Sequence, residues 1–371
     1  MKIQFDRKAA LEALAAVAKV SSGQKIQPVL SCVKLWHNGA ECVISAFDLE
    51  VGAKVSLLQT TCLVSGSCLI PADRFLKILR ELTGEEVLLE GDNETITISD
   101  LENASNFELP GCDVKQFPEF DIVDVSKSRH SMTGKALRQA LENCGFCVAT
   151  DQGRYGLTGV MMVLDGDNLE MVGTDGRRLS QVVEVCSAIN QIGKLSGIVP
   201  SKATDQLLRM LHGHDEDMVT IQMRTNDVLF QVMDDHLYSL LINGLYPDYK
   251  GIWPKSVKRK IEVDADELLV AVKQAAIMTD KETQRIKIEL NSNTLTLSAQ
   301  GVTSGRGKVQ IGASVEGEPM SISVNPFYLR EYLETIKGTG GLTIELIDEN
   351  KPITLKTHSN AKYQHLIMPL S

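Results

Sequence analysis

Two landmarks recur three times, in the same order, along this chain of 371 residues. The first is a short apolar strand running into an amphipathic helix: Phe5-Asp6-Arg7-Lys8, then Met132-Thr133-Gly134-Lys135, then Val263-Asp264-Ala265-Asp266. The second is a strand that breaks at Pro or Asn and enters another helix: Leu69-Ile70-Pro71-Ala72, Ile198-Val199-Pro200-Ser201 and Val324-Asn325-Pro326-Phe327. Proline is favoured at a helix start, where its missing N–H has no partner to lose. The spacing defines a unit of roughly 125–130 residues written in tandem, the mark of a repeated architecture rather than a single continuous domain.

Between the landmarks lie strand pairs with turn chemistry. Asn38-Gly39, Asp165-Gly166-Asp167-Asn168 and Asn291-Ser292-Asn293 each separate two apolar runs, which predicts hairpins. The second helix carries a stripe at Phe75, Ile78, Leu79 and Leu82 in the first copy and Leu329, Tyr332, Leu333 and Ile336 in the third, the spacing of a helix packed on a sheet by one face. Each copy therefore reads as an α+β domain of two helices and several hairpins. Boundaries are expected near 126 and 254, giving domains 1–126, 127–254 and 255–371. A hydrophobic content of 43% supports a core in each. No apolar run approaches the roughly 20 residues that span a bilayer, and Met1 leads directly into a strand and helix without a secretory pattern. A cytoplasmic protein without membrane association is expected.

Catalytic templates fail. No phosphate loop of the GxxxxGK[ST] type, dinucleotide GxGxxG, HExxH or GxSxG elbow is present. Gly338-Thr339-Gly340-Gly341 follows a helix and precedes a strand, the reverse of a phosphate cradle. All eight cysteines lie at or before Cys186, and reduced thiols suit domains with cores of their own. Cys144-Gly145-Phe146-Cys147 lacks a second pair or a histidine pair for zinc and reads as packing cysteines. His212-Gly213-His214 reads as a loop after a helix, and Asp234-Asp235-His236 as a hairpin turn rather than a metal site. No metal or cofactor is called for.

Four segments in order, Pro28-Val29-Leu30, Thr174-Asp175-Gly176-Arg177-Arg178-Leu179, Asn243-Gly244-Leu245-Tyr246-Pro247-Asp248-Tyr249 and Leu366-Ile367-Met368-Pro369-Leu370, make the chain resemble the bacterial DNA polymerase III beta subunit, the replicative sliding clamp family, over essentially its whole length. The resemblance implies a non-catalytic DNA clamp fold. Two three-domain subunits would close head to tail into a homodimeric ring, helices inside and sheets outside, around duplex DNA without sequence specificity. It further implies an ATP-dependent clamp loader, the polymerase III catalytic subunit and other replication and repair proteins as partners.

Residue by residue, the family's client-peptide groove carries over to Leu157, Thr174, Gly176, Arg177, Arg178, Leu179, Pro247, Ile252, Asn325, Tyr328, Leu366, Met368, Pro369 and Leu370. Arg177 stands where some relatives have His, and Asn350 and Pro352 alter the groove's second half, so the peptide preference is left open. The DNA-contacting loops correspond to Gln24-Lys25 and to residues 151–156, which nominates Lys25, Arg154 and Tyr155. Arg80, Arg138 and Lys202 are nominated for the helical inner face. Ring closure falls to Arg74, Phe107 and Leu109 on one side and Ile277, Met278, Arg306 and Lys308 on the other, with Glu102 and Glu108 facing the last two. Some relatives place the opposite signs there.

A net charge of −10 argues against a protein that grips DNA by phosphate contacts, which calls for a basic domain. A ring needs only a mildly positive inner face, because enclosure supplies retention. Two alternatives remain at this stage: a metal-dependent nucleic-acid hydrolase using Asp175, Asp234 and Asp235, and a specialised clamp paralogue with a restricted client set.

Overall fold

A computed structural model of the chain describes all residues except 22–26, 191–192, 255, 281–283, 302–303 and 371, together with the side chains of Gln152 and Tyr155. Two of the nominated DNA contacts, Lys25 and the Tyr155 side chain, lie outside the described residues.

Six α-helices are present among the described residues, two for each copy of the repeat: α1 (Arg7–Ser21), α2 (Ala72–Glu81), α3 (Gly134–Gly145), α4 (Ser201–Met210), α5 (Ala265–Ala276) and α6 (Pro326–Thr335). Their starts explain the landmarks. Asp6, Thr133 and Asp264 hold one position in the repeat, and each offers a side-chain oxygen to an N–H of the first turn, with Ala9 at 2.8 Å, Ala136 at 3.4 Å and Glu267 at 3.0 Å. At the second landmark Pro71 and Pro200 precede α2 and α4, while Asn325 caps α6 by accepting from Phe327 N at 2.9 Å. The predicted hairpins form at all three turns, with Trp36 opposite Val43, Leu164 opposite Leu169 and Leu290 opposite Leu295. The helical stripes are buried as the spacing requires, except that Ile78 is only half-buried.

The described residues gather into two compact units, 1–138 with 186–242 and 139–185 with 243–371. These do not coincide with the three copies, because strands pair from one copy to the next. In the first unit Val51–Ser56 pairs antiparallel with Asp235–Leu240, within a nine-stranded sheet. In the second, Arg178–Val185 pairs with Tyr363–Ile367. The middle copy is thereby shared between the units. Each unit also carries a smaller sheet, of five strands in the first and four in the second.

The repeat places the same backbone frame in both units. In the first, Asp48 Oδ1 accepts from the N–H groups of Glu50 (2.9 Å) and Val51 (2.7 Å); in the second, Asp175 Oδ1 accepts from those of Arg177 (2.8 Å) and Arg178 (3.1 Å). The residue after each aspartate is left-handed: Leu49 at φ 77° and Gly176 at φ 84°. Leu240 N donates to Glu50 O (2.8 Å) as Met368 N donates to Arg177 O (2.9 Å), and Ile242 N to Ile198 O as Leu370 N to Ser323 O, both at 2.8 Å. Phe117-Pro118-Glu119-Phe120 answers Tyr246-Pro247-Asp248-Tyr249.

The filling differs. In the first unit Phe47, Phe120 and Tyr238 form an aromatic trio with centroids 5.1–5.9 Å apart. Phe120 lies on Gly52, where an added Cβ would stand 2.7 Å from the ring. In the second unit Leu179 takes the place of Gly52 and packs with Val172, Tyr249 and Leu366.

Gly52→Ala is therefore expected to lower unfolding stability by about 1–3 kcal/mol, the usual cost of overpacking. Urea denaturation of the single variant and of the double variant with Phe120→Leu checks this, since the smaller side chain should recover part of the loss.

Candidate functional site

The TDGRRL segment is a tight turn between strands Asn168–Thr174 and Arg178–Val185. Thr174 Oγ1 donates to Arg178 O (2.6 Å) and accepts from Gly176 N (3.0 Å). With the Asp175 contacts above, the backbone N–H groups of Gly176, Arg177 and Arg178 are all held by side chains of the turn itself. Gly176 suits its place chiefly through its backbone. Its φ favours glycine, and a Cβ there would lie 3.2 Å from Arg154 Nη1 and 3.9 Å from Leu157 Cδ1.

Arg178 is the centre of the site. Its side chain is 8% exposed. Nε donates to Asp175 Oδ2 (3.1 Å), Nη2 to Phe146 O (2.9 Å), and Nη1 to Glu331 Oε2. The guanidinium lies over the Tyr328 ring at 4.5 Å and near that of Phe146 at 5.4 Å, a planar cation held by aromatic faces. One side chain thus joins the turn, the segment after α3 and the exposed side of α6.

Behind Arg178 lies a buried polar group. His365 Nδ1 meets Ser180 Oγ at 2.7 Å, and the ring stacks on Tyr332 at 4.6 Å. Burial, reinforced by the Arg178 charge, holds His365 well below the ordinary histidine range, so it stays neutral. Cys147 Sγ is 3.8 Å from the same nitrogen, and burial pushes this thiol up to about 12. Cys144 is raised in the same way and donates to Met171 O at 3.3 Å. The pair packs as the sequence reading expects. The raised thiols favour the folded state below an ordinary cysteine value of 9.0, and that contribution is lost as pH climbs from there toward 12.

The structure separates the fourteen groove candidates into a support and a surface. Leu179 (2% exposed), Leu366 (1%), Thr174, Asn325 and Arg178 are buried. Leu179 and Leu366 are directly paired across strands and share one apolar cluster with Val172 and Tyr249. They support the surface from beneath. Gly176, Arg177, Pro247, Ile252 and Met368 are exposed, and Leu157, Tyr328, Pro369 and Leu370 are half-buried. Tyr246 and Tyr249 anchor the Pro247 loop, Tyr246 Oη donating to Val172 O at 2.9 Å. Leu245 beside them is 97% exposed.

Sequence reasoning missed Phe146 and Glu331. Glu331 stands three residues after Tyr328 on the same helix, a spacing that places the two side chains on one face, so a signal was present. Phe146 had none beyond its place in the CxxC segment.

The DNA candidates are less free than the sequence implies. Arg138 makes a two-pronged contact with Asp215 (2.9 and 2.8 Å), Lys202 pairs with buried Asp48 and donates to Val20 O, and Arg154 Nη1 donates to Asp175 O. Arg80 is exposed. Among the closure candidates Arg74, Phe107, Ile277, Arg306 and Lys308 are exposed, Met278 is half-buried and Leu109 is buried. Two of the three carboxylates of the hydrolase alternative are occupied, Asp175 by its own turn and Arg178, and Asp235 Oδ1 by Ser56 N at 2.9 Å, while Asp234 is exposed.

Comparison with known proteins covers the chain end to end. Family models of the DNA polymerase III beta subunit match residues 1–121 as its N-terminal domain, 131–248 as its central domain and 250–371 as its C-terminal domain. A beta sliding clamp from Synechococcus elongatus is 28% identical over 364 residues, covering 96% of each chain. The crystal structure of a DNA polymerase sliding clamp from Bacillus subtilis superposes with a TM-score of 0.93 at 21% identity, covering 100% of this chain and 99% of that one. A sliding clamp from Pseudomonas aeruginosa bound to griselimycin gives 0.92 at 24% identity, with coverage of 100% and 99%.

Removing the central cation should unravel the site. Arg178→Ala is expected to cost about 2–4 kcal/mol, near the range for breaking a buried ion pair and reduced because Glu331 keeps access to water. Arg178→Lys should recover less than half of the loss, because an ammonium cannot form the forked contacts. Thermal and urea unfolding of both variants measure this.

Proposed function

The chain belongs to the DNA polymerase III beta subunit family, and on that premise we propose that it is a DNA sliding clamp that confers processivity on the replicative polymerase without a reaction of its own. The match of all three domain models in order along one chain carries this reading. Two copies would supply twelve helices from the described residues of each chain, enough at an interaxial spacing of about 8–10 Å to surround a duplex. Closure would be homodimeric and head to tail, with an ATP-driven loader opening the ring in the cytoplasm.

The electrostatics support retention by enclosure. The chain carries a net −10, and Arg138 and Lys202 are neutralised by Asp215 and Asp48. Exposed cations such as Arg80 and Lys135 are left for weak contacts with phosphates. Each strong phosphate contact would add salt-dependent affinity and act as a brake. Loose contacts permit sliding.

The surface around Gly176, Arg177, Ile252 and Met368 is the proposed docking groove for a short client peptide with aliphatic and aromatic anchors. Its floor is apolar, its turn is pre-organised, and Met368 adapts its shape to different anchors. Arg178 is the positioning residue of this groove, since its hydrogen bonds point into the protein. The homologous frame in the first unit is filled by its own aromatic trio and offers no such floor.

Fluorescence anisotropy with a labelled peptide carrying the clamp-binding segment of the cognate polymerase tests this. Met368→Ala should weaken binding about tenfold or more, a loss of about 1.4 kcal/mol, whereas Leu49→Ala at the homologous frame should leave it unchanged. Equal effects of the two substitutions would overturn the assignment.

A further inference from the structure

The seam between the first two copies carries a polar row across its sheet. Lys34 lies opposite Ser45, Ser45 opposite Lys54, Lys54 opposite His236 and His236 opposite Gln231. Lys54 belongs to the first copy and His236 to the second, so the row exists only because Val51–Ser56 pairs with Asp235–Leu240. Residues directly opposite share a face, with Cβ atoms about 4.5–5.5 Å apart. Lys54 and His236 also line one concavity of about 590 Å³, together with Glu41, Asp234 and the exposed apolar side chains of Leu58 (71%) and Ile122 (44%).

The ammonium of Lys54 is poorly held there. One carboxylate, Glu119, serves two lysines: Oε1 takes Lys34 Nζ in a close ion pair, while Oε2 stands 3.9 Å from Lys54 Nζ. The Phe120 ring centroid lies 4.9 Å from the same nitrogen. Burial lowers the Lys54 pKa, Glu119 opposes that shift, and Lys34 adds to it as a second positive charge, with Asp121 opposing last. An amine whose pKa falls by about one presents about ten times more free base at neutral pH. The Lys54 side chain is still 26% exposed, and the concavity gives a reagent access to it. His236 is half-buried. Burial and the Lys54 charge lower it, against Asp234, so it is a neutral imidazole at pH 7, and its Nδ1 has no hydrogen-bond partner among the described residues. A desolvated amine beside a neutral base is the arrangement that activates a lysine nucleophile.

We propose that Lys54 is a modification site, acylated at Nζ by a small acyl phosphate that enters this concavity. The free amine attacks the carbonyl carbon, an N–C bond forms, the C–O bond to phosphorus's oxygen breaks, and phosphate leaves with the bonding pair. The proton lost from Nζ passes to His236 and from there to the departing phosphate, so amine and acyl phosphate become amide and hydrogen phosphate, with nothing oxidised or reduced. An anionic donor suits a row in which Lys34 supplies a second cation, and Leu58 and Ile122 suit the acyl chain. The reaction deletes the Lys54 charge and leaves Glu119 to Lys34 alone. It thereby removes one of the cations that hold the Glu119-Phe120 segment against the sheet.

Incubating the full chain with acetyl phosphate near neutral pH, and following each lysine by mass spectrometry of the digested protein, tests the proposal. Lys77 and Lys250 serve as references, since both are exposed and neither forms an ion pair among the described residues. Lys54 should be acetylated about tenfold faster than either, and the advantage should vanish in urea that unfolds the chain. Glu119→Gln, at a side chain 62% exposed, removes the carboxylate that holds the ammonium and should raise the Lys54 rate about threefold or more. His236→Gln removes the proton acceptor and should lower it by about the same factor. Both variants should leave Lys77 and Lys250 unchanged. Acetylation of Lys54 no faster than that of the two references, or a Lys54 rate that either substitution leaves unaltered, would overturn the assignment.

Discussion

The buried guanidinium of Arg178 is the contact on which the second unit's surface depends. A cation 8% exposed is tolerable only if its charge and donors are answered, and here two carboxylates, a carbonyl and two aromatic faces answer them. Those partners come from the turn after Thr174, from the segment following α3 and from α6. Satisfying one side chain therefore fixes the relative positions of three pieces of chain. The neutral His365 beneath it completes the arrangement, because a second positive charge there would oppose the first.

Repetition explains why such a site can exist and also why it is not duplicated. Asp48 and Asp175 organise their turns through the same hydrogen bonds, and the strand partners that follow repeat the same contacts. Where the frame holds Gly52 the space is taken by Phe120; where it holds Leu179 an aliphatic floor remains. Leu49 accepts a left-handed backbone that suits glycine, and Gly176 accepts it without strain. One repeated geometry serves as a plugged core in the first unit and as an open surface in the second.

The two-helix, several-hairpin plan of each copy was legible in the sequence because it is written locally: turn residues, caps at Asp6, Thr133 and Asp264, and stripes such as Phe75 and Leu79. The turn of the candidate site was legible for the same reason. What escaped depends on distant partners. Nothing near Arg138 or Lys202 announces that Asp215 and Asp48 neutralise them, so both read as free cations. Glu331 is 153 residues from Arg178, and its role emerges only when Arg178–Val185 pairs with Tyr363–Ile367 and brings α6 alongside. The two compact units were hidden for a related reason, since strands pair from copy to copy across the three domains that the repeat implies and the family models match in order.

The proposed groove matters only while the protein stays on DNA, and in the proposed ring enclosure rather than affinity keeps it there. The direct measurement is retention on a nicked circular plasmid before and after cutting, with the protein assembled on the circle by the proposed ATP-driven loader and followed by gel filtration at physiological salt. Enclosure predicts that the protein co-elutes with the circle for many minutes and is released within seconds to minutes once a restriction enzyme linearises it. Equal retention on circular and linear DNA would contradict it.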